Sequence, residues 1–72
     1  MDKILDEIQA EYEKARKKFP PMHSFHEGYA ILQEELDEAW DEIKRKNVDP
    51  KLLRIEMTQV AAMAYAFIRE LT

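Results

Sequence analysis

The 72-residue chain has no cysteine, one glycine and three prolines, and each shortage removes a class of structure. Without cysteine there is no disulfide framework and no thiolate zinc site, so carboxylates and imidazoles are the metal ligands that remain. Glycine and proline are too few to punctuate a multi-stranded fold, and no stretch alternates as a strand does. Basic residues are also in deficit: 11 Lys and Arg face 15 Asp and Glu, a net charge of −4. That balance offers no electrostatic footprint for nucleic acid and no basic face for a membrane. No run reaches the roughly 20 apolar residues of a membrane span, and Met1 to Glu7 lack the apolar core of a signal peptide. These absences predict a soluble, cytoplasmic protein with neither nucleic acid nor membrane as partner.

What is present reads as helix throughout. A first segment from about Asp2 to Lys18 carries Ile4, Leu5, Ile8, Tyr12 and Ala15 at three- and four-residue spacing, with Lys14, Arg16, Lys17 and Lys18 gathered at its C-terminal end, where the helix dipole favours cations. Pro20-Pro21 ends it. Ser24-Phe25-His26-Glu27 has the pattern of a capping box, and a second helix is expected from Phe25 to about Lys46, its apolar face made of Tyr29, Leu32, Leu36, Ala39, Trp40 and Ile43. Asn47-Val48-Asp49-Pro50 forms a turn, in which asparagine accepts a left-handed conformation, Asp49 caps and Pro50 opens the third helix. That helix, residues 50–71, has Leu53, Met57, Val60, Ala61, Ala64, Phe67, Ile68 and Leu71 on its main apolar face, and Ala62, Met63 and Ala66 extend apolarity nearly all round. Residues 1–72 are therefore one all-α domain. A domain of this size buries only about 60–65% of its unfolded surface. The prediction is a three-helix protomer that forms a four-helix-bundle-like homodimer or homotetramer through its second and third helices.

The chemistry lies in a row of acids, Glu34-Glu35-Leu36-Asp37-Glu38, and one acid, Glu56, within the apolar stretch from Leu52 to Leu71. Glu35 and Glu38, at i and i+3, present two carboxylates in one direction, a repulsive pair that a hard divalent cation relieves. Glu56, if buried, must be paired, metal-bound or protonated. An antiparallel third helix brings it opposite Glu38 or Glu42. The alternatives at this point are a solvated acidic face with Glu38 and Glu42 paired to nearby bases, and a Glu56 neutralised by Arg54 of another chain or by Thr58 or Tyr65.

Glu34-Glu35-Leu36-Asp37-Glu38 together with Glu56-Met57-Thr58-Gln59 resembles the two-helix metal motif of the MazG-like, all-α nucleotide pyrophosphohydrolases, Glu-Glu-x-x-Glu followed by Glu-x-x-Asp. The surrounding segments His26 to Ala30, Trp40 to Ile43 and Val60 to Ala64 are similar to short, phage-type members. The resemblance implies Mg²⁺ (or Mn²⁺) held by Glu35, Glu38 and Glu56. It also implies a nucleoside triphosphate substrate cleaved between the α- and β-phosphates, and a water oriented by Glu35 or Glu38. Gln59 stands where the family has its fourth acid; its carbonyl still offers a ligand oxygen but adds no charge. Lys44, Lys46, Lys51 and Arg54, near the second turn, are the cations expected to meet the phosphates. The competing reading is a non-catalytic helical oligomer or regulator with a degenerate metal site, for which Gln59 is the main support.

Two further features read as structural. His23 and His26 sit at a helix start rather than beside the acids, so they do not form a transition-metal pair. Tyr29 and Trp40 are core or subunit-interface anchors rather than stacking platforms.

Overall fold

The computed structural model describes residues 2–72, and among them the regular elements are three α-helices: α1 (Lys3–Lys18), α2 (Phe25–Ile43) and α3 (Pro50–Leu71). Each starts on an acid or hydroxyl cap. Asp2 accepts from the Ile4 N–H at 2.8 Å, Ser24 from Glu27 at 3.0 Å and Asp49 from Lys51 at 2.9 Å, each cap being worth about 1 kcal/mol. The box at Ser24 closes one residue early, because the Glu27 carboxylate accepts from the His23 N–H at 2.6 Å. Phe19 follows α1 with φ −132° and ψ 150°, the extended geometry that the next residue, Pro20, imposes on it.

Two expectations need correction. The second helix stops at Ile43, three residues before Lys46: the Lys44 N–H is shared between Trp40 and Glu42, and Arg45 bonds back to Glu42 at 3.3 Å. This tightening of the last turn redirects the chain toward Pro50. Asn47 does not adopt the left-handed conformation either, since no non-glycine residue among those described has positive φ. The turn is spread over several residues instead.

Helix α3 lies in the middle and packs on both α1 and α2, which do not pack on each other. Contact on two sides explains why Ala62 and Ala66 are 0% exposed, while Met57 and Ile68 of the anticipated main face remain exposed. Small side chains let both neighbours approach. At one end of the α2–α3 seam, Gly28 does the same: a Cβ there would lie 2.6 Å from the Phe67 ring and 2.9 Å from Leu71, and Phe67 stacks on Phe25 with centroids 6.0 Å apart.

Helix α1 is held to α3 largely by polar contacts. The Glu70 carboxylate accepts from the Arg16 guanidinium through two nitrogens, from the Tyr12 hydroxyl at 2.7 Å and from the Met22 N–H at 3.0 Å. Its side chain is 8% exposed. These donors hold its pKa down to about 2 against the cost of burial. Tyr12 also meets Tyr65 edge-on at 5.0 Å, and Met22, in the segment between α1 and α2, is buried. At the other end, Arg54 of α3 binds Glu7 of α1 at 2.8 Å.

Candidate metal centre

Helix α2 meets α3 along Gly28, Leu32, Glu35, Ala39 and Glu42, spaced as a seam that follows the helix turn. Glu35 therefore occupies a packing position, and the Glu42 side chain is 12% exposed. From the other side, the antiparallel α3 presents Glu56. Carboxylate oxygens of Glu35, Glu38 and Glu56 all lie within 4.8 Å of one another. Glu35 and Glu56 are half-buried and Glu38 is exposed.

None of the three acids forms an ion pair among the described residues. Of the local alternatives for Glu56, the Thr58 hydroxyl donates to the Arg54 carbonyl and Arg54 binds Glu7, while the Tyr65 hydroxyl accepts from Arg69 and makes no hydrogen bond to Glu56. Oε2 of Glu35 and Oε2 of Glu56 are buried without any hydrogen-bond partner. Such atoms carry a desolvation penalty that nothing in the protein offsets. Burial, then the charges of Glu38, Glu56, Glu34 and Glu11, raise Glu35 to a pKa of about 6. Burial, then Glu38 and Glu42, raise Glu56 as well.

The donor set fits a hard divalent cation. Oxygens on opposite sides of one ion stand roughly 4 Å apart for Mg²⁺ and nearly 5 Å apart for Ca²⁺, twice the ordinary metal–oxygen distances. A three-carboxylate cluster confined to 4.8 Å reaches that spacing with little side-chain movement, and an ion would also satisfy the two partnerless oxygens.

Beside the cluster a cleft of about 550 Å³ opens over α3, between α1 and α2. Glu34 and Glu35 border it from α2, and Gln59 and Met63 form its floor from α3. Gln59 is thus in the cleft next to Glu35, one turn beyond Glu56. The cations expected to meet phosphates are dispersed. Arg54 borders a separate, smaller hollow with Glu7 and Glu11, Lys44 is 3.1 Å from Asp41, and Lys51 sits exposed in the first turn of α3. None of them borders the cleft. The bases that do are Lys14, Arg16 and Lys18 of α1. Sequence spacing hid them, because their cluster has an ordinary role at a helix C-terminus. Among the described residues no helix is long and apolar enough to cross a membrane. No family model, curated protein or solved structure matches the chain.

Proposed function

We propose that this protein is an Mg²⁺-dependent hydrolase of (deoxy)nucleoside triphosphates, releasing monophosphate and pyrophosphate, with Mn²⁺ as an alternative ion. One observation carries the reading: two buried carboxylate oxygens, on Glu35 and Glu56, converge with Glu38 and have no partner in the protein. The resemblance of the Glu34–Glu38 and Glu56–Gln59 segments to the MazG-like motif supplies the substrate class.

Glu35, Glu38 and Glu56 hold the ion, with Gln59 contributing a neutral oxygen from the cleft floor. A divalent cation there supplies charge neutralisation for the triphosphate and a more acidic bound water. Glu38, the most accessible of the three, or Glu35 beside it would orient the attacking water and take up its proton. The cleft of about 550 Å³ has the size of a small-molecule site. The protomers associate as a homodimer or homotetramer through the exposed apolar face of α2.

Pyrophosphate release from a panel of nucleoside triphosphates, with Mg²⁺ or Mn²⁺, tests the reading directly. Release from at least one nucleotide is expected, falling on the order of 100-fold or more in Glu38→Ala. No release across the panel, or release that survives the substitution, rejects it. A second reading, a non-catalytic helical oligomer, is favoured by Gln59 in place of an acid, and it predicts oligomerisation without turnover.

A further inference from the structure

Lys14 and Lys18 are one helical turn apart on α1 and border the same cleft as Glu11 and Ala15. Glu11, Lys14, Ala15 and Lys18 thus form a single face, at i, i+3, i+4 and i+7. Like charges at i and i+4 cost an isolated helix a few tenths of a kcal/mol (about 0.2–0.5). Neither lysine has a carboxylate partner among the described residues to offset that. Arg16, the third base at the cleft, is committed to Glu70. Across the opening stand Glu27, Glu34 and Glu35, also bordering the cleft. Glu27 is engaged by His23, whereas Oε2 of Glu35 has no partner.

Lys14 and Lys18 beyond Glu11 on one wall, and Glu34 and Glu35 on the other, suit an occupant that is itself divided in charge: anionic toward the lysine end of α1 and cation-bearing toward α2. A metal-complexed polyphosphate has that form. Its dimensions fit as well. Glu11 and Glu35 border the same cleft, and Lys14 and Lys18 follow Glu11 at about 5 and 10 Å along the α1 axis, the reach of a di- or triphosphate with extended lysine side chains.

We infer that Lys14 and Lys18 are the phosphate-binding residues of this protein, gripping the polyphosphate of a nucleotide whose metal sits at Glu35, Glu38 and Glu56. The assignment rests on the hydrolase reading above and replaces Lys44, Lys51 and Arg54 in that role. Calorimetric titration of the full chain with a non-hydrolysable α,β-methylene nucleoside triphosphate, in Mg²⁺, separates the two. Lys14→Gln/Lys18→Gln should weaken binding about tenfold or more, with the affinity for Mg²⁺ alone and the helical content unchanged. Lys14→Arg/Lys18→Arg should retain binding, as should Lys44→Gln/Lys51→Gln. If the glutamine pair binds the analogue like the parent while Glu38→Gln does not, the lysine assignment falls and the hydrolase reading stands. If the parent protein binds Mg²⁺ but no analogue, both fall. Equal losses in the Lys14/Lys18 and Lys44/Lys51 variants would reduce the effect to general charge and also overturn the assignment.

Discussion

Glu35 and Glu70 are acids in part-buried positions on the same small protein, and their surroundings drive them in opposite directions. Glu70 receives an arginine, a tyrosine and a backbone N–H, and its pKa falls to about 2. Glu35 is desolvated by burial and faced by other carboxylates, and its pKa rises to about 6. Taking the ordinary value of 4.5 for the unfolded chain, Glu70 adds stability that is fully present above pH 4.5 and lost as pH falls toward 2. Glu35 behaves the other way: folding is favoured while it is protonated below pH 4.5, and that contribution is lost as pH rises through about 6. Glu56 shifts in the same direction as Glu35. The metal-free protein should therefore be most stable near pH 4 to 5, and Glu35→Gln should raise its stability at pH 7 by about 1 kcal/mol, after discounting for partial exposure. Thermal melts in chelator across pH 3–8 test this. A parent curve that climbs steadily to pH 8 would show that the acids around Glu35 do not repel as the geometry requires. Millimolar Mg²⁺ should raise the parent's melting temperature at pH 7 and leave that of Glu35→Gln nearly unchanged.

At the scale of the element, α3 controls the arrangement, because it is the helix both others touch. Its alanines at 62 and 66 set how near the flanking helices come, and at the end of α2 the missing side chain of Gly28 admits Phe67 and Leu71. An alanine at 28 would gain about 1 kcal/mol of helix propensity, yet it would force an aromatic ring and a leucine to move, a cost of about 1–3 kcal/mol. Gly28→Ala is thus expected to destabilise the protein by about 1 kcal/mol in urea denaturation, where the same change at a solvated helix position stabilises. A gain in the denaturation midpoint would mean that Phe67 yields freely and that the α2–α3 contact is loose. Since that seam also carries Glu35 toward Glu56, a shift there should weaken metal binding in parallel.

For the whole molecule, burial within the protomer is sparse. Among the described residues no large side chain is fully buried. The radius of gyration, 12.7 Å, exceeds the roughly 11 Å of a well-packed domain of this length. Tyr29, Leu36, Trp40 and Ile43, one stripe along α2, face outward with Tyr29 65% and Trp40 56% exposed, so the anchors expected in a core or interface are not in the core of the protomer. This stripe is the surface that the proposed association would cover. Trp40 is the single tryptophan, which makes its fluorescence a local reporter. Its emission should shift to longer wavelength on dilution as sedimentation shows the oligomer dissociating, and Trp40→Lys should give a monomer of reduced stability. Concentration-independent, solvent-like emission in a monomeric parent would remove this face from the assembly.

Helix number and helix starts were legible in the residues alone, because the caps at Ser24 and Asp49 and the stop at Pro20 act within a few residues along the chain. The convergence of three acids was legible too as a pattern, since helical periodicity puts Glu35 and Glu38 together and a tight turn returns Glu56 toward them. The early end of α2 was not, as Lys44, Arg45 and Lys46 are good helix formers and only the path to α3 bends them away. Nor was the division of labour among charges. Arg16 and Glu70 are 54 residues apart, and no local rule pairs them, just as none sets Lys14 and Lys18 across a cleft from Glu35. Local physics wrote the helices and the acidic motif; the packing of both α1 and α2 on α3 decided which charges are neutralised, which stay without partners, and where the cleft between them opens.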